Sequence, residues 1–142
     1  MTPAVFVVDT NVIVSAMIGS DPKRPPAQIL EAMLDGSLLY LLSDELLTEY
    51  ASVLRRPRLV GLHRRKGAEI DQLLAELTAN AIWCEPATGE TAPDSGDNHL
   101  WALLGARAGS RLITGDRLLV ENAPEADRVL TPRDFVNRRS AR

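Results

Sequence analysis

Apolar and polar positions along the chain alternate between two kinds of segment. Ala4-Val5-Phe6-Val7-Val8 is a continuous β-branched and aromatic run, the pattern of a strand buried on both faces of a parallel sheet. Leu38 to Leu42, Ala81 to Cys84, Arg111 to Thr114 and Arg128 to Leu130 are shorter candidate strands. Between them apolar residues recur at helical spacing: Ile29, Leu30, Met33 and Leu34, ending at Gly36; Leu46, Leu47, Tyr50, Val53 and Leu54; Ile70, Leu73, Leu74 and Leu77; and Leu100, Leu103 and Leu104. Strands alternating with helices predict an α/β sandwich around a mainly parallel sheet. The stretch from Glu85 to Ser95, rich in Pro, Gly, Thr and acidic residues, predicts a loop within one domain spanning residues 1–142.

Composition narrows the class. With 142 residues and 45% hydrophobic content, the chain has the apolar supply of one globular domain. The runs Val5 to Val8 and Val12 to Ile18 are interrupted by Asp9, Thr10 and Asn11, so neither approaches the roughly 18 residues a membrane span needs. No basic region followed by an apolar core and cleavage site opens the sequence, so a cytoplasmic location is expected. Cys84 is the single cysteine, which excludes an internal disulfide and predicts a buried apolar role. A net charge of −3 removes whole-molecule attraction to nucleic acid, so such binding has to be local. The segment holding Arg55, Arg56, Arg58, His63, Arg64, Arg65 and Lys66 is either a phosphate-contacting patch, with Arg55, Arg56, Arg64 and Arg65 as its contacts, or a solvated loop between helices.

The chemistry-bearing residues are acids at element ends. Ligands of open parallel sheets bind beyond the carboxyl ends of the strands, where Asp9 and Asp116 follow the first and a late strand. Each is also a reasonable helix-cap or turn residue. On a wheel with Leu46 at zero, the stripe Leu46, Leu47, Tyr50, Val53 and Leu54 spans roughly −20° to 100°, and Glu49 lies near −60°, closer to the protein body than Asp44 or Glu45. Asp94 and Asp97 precede the helix bearing Leu100; with Asp94 as cap, Asp97 in the first turn is free to project. Convergence of these acids would require protons or cations to offset repulsion, and an all-oxygen donor set without a Cys–His cluster selects Mg²⁺ or Mn²⁺. His99 is a possible neighbour, although a single helical histidine is more often a packing or surface residue.

These residues, in order, resemble the PIN-domain nucleases, in particular the toxin-like (VapC-like) subfamily of bacterial toxin–antitoxin systems. The resemblance rests on Val7-Val8-Asp9-Thr10-Asn11, Ser43-Asp44-Glu45-Leu46-Leu47-Thr48-Glu49-Tyr50, Asp94-Ser95-Gly96-Asp97-Asn98, Leu112-Ile113-Thr114-Gly115-Asp116 and the closing Leu130-Thr131-Pro132-Arg133-Asp134-Phe135. It implies a PIN-like three-layer sandwich with a central sheet of four to five mainly parallel strands and helices on both faces. It further implies hydrolysis of RNA phosphodiesters with one or two Mg²⁺ or Mn²⁺ ions. By position Asp9, Glu49, Asp97 and Asp116 form the carboxylate quartet, Asp94 is an additional ligand or a cap, and Asn11, Thr114 and Asn98 are supporting polar residues. A homodimer and a small antitoxin are the partners the resemblance implies, beside RNA and without a membrane. The alternatives are a non-catalytic RNA- or antitoxin-binding module on the same fold and a phosphotransfer receiver-like domain. The latter normally needs a lysine reaching the phosphate, and the chain's lysines, Lys23 and Lys66, follow no late strand.

Overall fold

A computed structural model of the chain describes residues 3–85, 92, 94–125 and 127–140. Its elements run β1 (Val5–Val8), α1 (Thr10–Ile18), α2 (Pro25–Asp35), β2 (Leu39–Leu42), α3 (Asp44–Leu54), α4 (Pro57–His63), α5 (Gly67–Asn80), β3 (Ile82–Trp83), α6 (Asn98–Ala106), β4 (Arg111–Ile113), α7 (Arg117–Glu121), β5 (Val129–Leu130) and α8 (Pro132–Ser140). A single 3₁₀ turn, Ser95–Asp97, leads into α6. The five described strands form one sheet in the order β3-β2-β1-β4-β5, and every pairing is parallel. With helices packed on it, this is the three-layer α/β sandwich expected from the alternation of patterns.

The central strand explains the architecture. Val7 and Val8 are wholly buried and stand opposite Leu112 and Ile113 of β4, while Val5 and Phe6 pair with Leu39 and Tyr40 of β2. A strand covered on both faces has no polar side to alternate with, hence its continuous apolar sequence. The chain leaves β1 toward β2 on one side, and β4 lies on the other. This is the topological switch at which a crevice opens beyond the strand ends.

Local signals set the helix limits. Pro25 and Pro26 open α2, and Gly36 ends it in the left-handed region at φ 82°, a conformation that costs a residue without Cβ little. Ser43 caps α3 by accepting the Leu46 N–H at 3.1 Å, and Glu69 reaches back to the Lys66 N–H at 3.0 Å at the start of α5. Helix α3 buries Leu46, Tyr50 and Leu54, three residues of the stripe read from sequence. Tyr50 Oη donates to the Val8 carbonyl, which ties α3 to the end of β1.

Two elements differ from the pattern-based expectation. Val12 to Ile18 belongs to α1, a helix whose buried residues include Thr10, Val12, Ile13 and Met17. So wide a buried arc erases the polar stripe by which an amphipathic helix is recognised. The basic segment is likewise not a plain loop: Pro57 starts α4, and Arg64 ends it with φ 57°. Cys84 is half-buried against the core. Of the Glu85 to Ser95 loop, residues 86–91 and 93 lie outside the described residues.

Candidate active site

Four acids meet around one cleft of about 520 Å³ at the carboxyl ends of β1 and β4. Its walls include Asp9, Glu49, Asp97 and Asp116, together with Asn11, Arg24 and Arg56. Each acid reaches the cleft from a different element, so their convergence is a property of the fold. Asp9 follows β1 and caps α1, Glu49 projects from α3, Asp97 stands at the N-terminal boundary of α6 and Asp116 caps α7.

Asp9 is buried and densely hydrogen-bonded. Its Oδ1 accepts the Thr10 N–H at 2.7 Å; its Oδ2 accepts the Thr114 hydroxyl at 2.7 Å and the Asn11 amide at 3.2 Å. The Thr114 oxygen in turn accepts from Asn11 Nδ2 at 3.3 Å and from the Asp116 N–H at 3.0 Å, and Asn11 Oδ1 accepts the Gly115 N–H at 3.0 Å. One small network therefore locks the end of β1 to the end of β4. Burial pushes the Asp9 carboxyl up to about 6; the Thr114 hydrogen bond opposes this, and the charges of Asp97 and Glu49 reinforce it.

Glu49 has the opposite electrostatics. Thr10 Oγ1 donates to its Oε1, and His99 Nε2 lies 3.0 Å from its Oε2. The His99 hydrogen bond is the main reason its carboxyl sits below the usual range; burial opposes, and Thr10, the His99 charge and Arg56 add to the lowering. Burial alone would depress the His99 imidazole, yet the Glu49 hydrogen bond and the charges of Glu49, Glu45 and Asp9 raise it above its ordinary value. His99 Nδ1 is buried with no partner among the described residues. His99 is thus no idle packing residue: it bridges α6 to α3, a role its isolated position in sequence did not signal.

Asp97 is half-buried and makes no side-chain cap hydrogen bond. Partial burial holds its carboxyl up, as do the charges of Asp94, Glu49 and Asp116, against a smaller opposing effect of His99. It stands at the start of α6 rather than within the first turn. Asp94 caps the preceding 3₁₀ turn, its Oδ1 accepting the Gly96 N–H at 2.9 Å, and it is exposed and not part of the cleft wall. Asp116 Oδ1 accepts the Leu118 N–H at 2.9 Å. Asp9 and Asp116 are therefore helix caps as well as cleft acids; the two readings coexist. Among the described residues the Asn98 side chain hydrogen-bonds to none of the four acids; its Oδ1 accepts the Ala92 N–H at 2.7 Å.

The basic segment divides. Arg56 lines the cleft, whereas Arg55 is paired with Asp71 and Arg65 lies 3.7 Å from Glu69, both on α5. Arg64 is exposed at the end of α4. His63 is buried between its neighbours, Nε2 2.8 Å from the Leu54 carbonyl and Nδ1 accepting the Arg65 N–H at 2.9 Å, so its ring is committed to backbone. Arg24, from the α1–α2 connection, was not singled out by sequence reasoning; it lies outside the basic cluster, and only the fold returns it to the cleft.

The donors facing the cleft are all oxygens, which matches a hard divalent cation. Among the described residues no three acidic, histidine or cysteine side chains close into a metal cage. Burial, with the neighbouring acids' charges added to it, raises Asp9 and Asp97, and a hard divalent cation would offset the repulsive part.

An all-parallel α/β sandwich with an acidic cleft at its switch point defines the class of molecule. Within that class the PIN domain family model matches residues 5–118, most of the chain, and the protein belongs to the PIN-domain family, whose members are generally nucleases that use divalent metal ions. No curated protein matches the sequence. No described helix is long and apolar enough to cross a membrane.

Proposed function

We propose that the chain is a metal-dependent endoribonuclease that hydrolyses RNA phosphodiesters at the cleft formed by Asp9, Glu49, Asp97 and Asp116. The observation that carries the reading is the meeting of these four acids, from four separate elements, in one open cleft at the end of β1 and β4. Asp9, Asp97 and Asp116 are the carboxylates that would hold Mg²⁺ or Mn²⁺, with Glu49 beside them. Such an ion supplies Lewis acidity, neutralising phosphate charge and acidifying water.

The protein's own groups do the rest. Thr114, Asn11 and the Thr10 amide fix the Asp9 carboxylate in one orientation. His99 and Thr10 keep Glu49 ionised and aimed at the cleft. A carboxylate of the cleft would help accept the proton of an attacking water. No lysine lines the cleft, which disfavours the receiver-like alternative. The toxin of a toxin–antitoxin pair, working as a homodimer neutralised by a small antitoxin, is the biological setting that this reading includes, on the resemblance of its motifs.

The test is incubation of purified protein with single-stranded RNA, with Mn²⁺ or with EDTA, beside Asp97→Asn. Internal cleavage that needs metal and fails in the variant supports the reading. Undiminished cleavage in EDTA, or none with metal, ends it.

A further inference from the structure

Arg24 is a charged cleft residue to which the four-acid scheme assigns no role. It is half-buried in the connection between α1 and α2, and its main chain is built into the start of α2: its carbonyl accepts the Gln28 N–H at 3.1 Å, and its N–H donates to Asp21. Its guanidinium is folded back onto α1, Nη1 donating to the Ser15 carbonyl at 3.1 Å and Nη2 to Ser15 Oγ at 2.9 Å. Gly19 makes the seat. A Cβ there would collide with Nη1 and Cζ of Arg24, so the head occupies space that only glycine leaves open. The Gly19 backbone at φ −81° and ψ 157° is ordinary extended chain, so space and not backbone conformation is what favours glycine here.

Among the described residues no carboxylate lies within ion-pair distance of Arg24, although it shares a cleft wall with four of them. Other arginines in the chain are spent on acids: Arg55 on Asp71, Arg65 on Glu69, Arg128 on Glu125. A guanidinium presents five N–H donors in a plane, and the two bonds to Ser15 leave the others unused. Held in place by Ser15 and Gly19 rather than by an acid, it loses little conformational freedom on meeting an anion, and its fork matches phosphate oxygens.

We propose that Arg24 is a positioning residue for the RNA backbone, binding a phosphate beside the scissile one and setting the strand's register against the four carboxylates. The inference rests on the ribonuclease reading above. Ser15 and Gly19 act through it, one by anchoring the head and the other by making room for it.

The experiment uses the full chain with a single-stranded RNA substrate and Mn²⁺, measuring KM and kcat over a series of salt concentrations for wild type, Arg24→Ala, Arg24→Lys, Gly19→Ala and Arg133→Ala. Arg24→Ala should raise KM by about tenfold or more, the loss of a charge-assisted hydrogen bond, with a smaller change in kcat. Its slope of log kcat/KM against log salt should be shallower by about 0.7, as for one phosphate contact on a single strand. Arg24→Lys should recover part of KM. Gly19→Ala keeps the charge yet evicts the head, so its KM should rise as well; the displaced group is the end of a flexible side chain, so this variant should fold even if Arg24→Ala does not. Arg133→Ala removes an exposed arginine at the start of α8 and should match wild type. If wild type cuts RNA while Arg24→Ala and Gly19→Ala keep its KM and salt slope, the positioning role is overturned and the ribonuclease reading stands. Lower melting temperatures with unchanged kinetics overturn it equally, since a merely structural arginine would behave so. If wild type cuts no RNA, both readings fall together.

Discussion

His99 Nε2 stands 3.0 Å from Glu49 Oε2, and this contact ties α6 to α3 beside the acidic cleft. Glu49 is thereby kept ionised while Asp9, a few residues of fold away, is held closer to neutrality. Two carboxyl groups in one cleft are driven apart in acidity, which is how a site can present a fixed anion beside a group that exchanges protons near neutral pH.

Replacing His99 with alanine removes the donor and should raise the Glu49 pKa. The acidic limb of the pH–rate profile should move to higher pH, and RNA cleavage at mildly acidic pH should fall more than at neutral pH. His99→Gln, which restores an N–H donor, should recover part of the shift. Identical pH–rate profiles in wild type and His99→Ala would show that Glu49 does not depend on this bond.

Thr114→Val keeps the shape of a side chain that makes three hydrogen bonds. It takes the closest donor from Asp9 Oδ2, which keeps Asn11, and leaves the half-buried Asp116 N–H without its acceptor, at a cost of about 1–3 kcal/mol. Denaturant unfolding should report that loss, and cleavage should fall with it. A variant as stable and as active as wild type would mean that the network linking β1 to β4 contributes nothing measurable.

The pH dependence of stability follows from Asp9. Its folded pKa of about 6 exceeds the ordinary 3.8, a difference of roughly 3 kcal/mol between protonation states. A carboxyl raised on folding favours the native state when protonated, so this contribution to stability is lost as pH rises from about 4 through 6. His99, also raised, acts in the same direction, its stabilisation fully present below 6.5 and lost above. Glu49, lowered, acts oppositely, but only at pH below its ordinary 4.5. In EDTA, wild type should therefore melt higher at pH 5 than at pH 7.5, and Asp9→Asn should show a smaller difference. Equal differences in the two proteins would place the sensitivity elsewhere.

Metal should act on the same group of carboxylates. Mn²⁺ should raise the melting temperature of wild type at neutral pH by an amount growing with the logarithm of its concentration above the dissociation constant. Asp97→Asn and Asp116→Asn should gain less and should cleave RNA at least about tenfold more slowly, as when metal ligation or its support is damaged. If both variants gain as much as wild type, the acids do not share a metal site.

Arg56 should separate from its neighbours. Arg56→Ala should weaken RNA binding and flatten its salt dependence, whereas Arg55→Ala and Arg65→Ala, which break pairs with Asp71 and Glu69, should leave the salt slope unchanged. Equal effects at all three positions would restore the whole segment as a phosphate patch.

The sequence by itself determined the layers of the fold and which end of the sheet is polar. The run ending at Val8 reads as a strand covered on both faces, the stripe from Leu46 to Leu54 as a face packed on a core, and Asp9 and Asp116 as acids just past the ends of strands. These are consequences of period and of residue type, which depend on near neighbours alone. The tertiary structure decided the rest. The strand order brought Asp9 and Asp116 side by side, with Thr114 between them. The packing of α6 on α3 gave His99 its partner in Glu49, and the α1–α2 connection carried Arg24 back over Gly19 to the cleft. Burial did the same for acidity: a raised Asp9 and a lowered Glu49 arise from how much water each loses and from the donors other elements supply. Such contacts join residues far apart along the chain, and no local pattern encodes them.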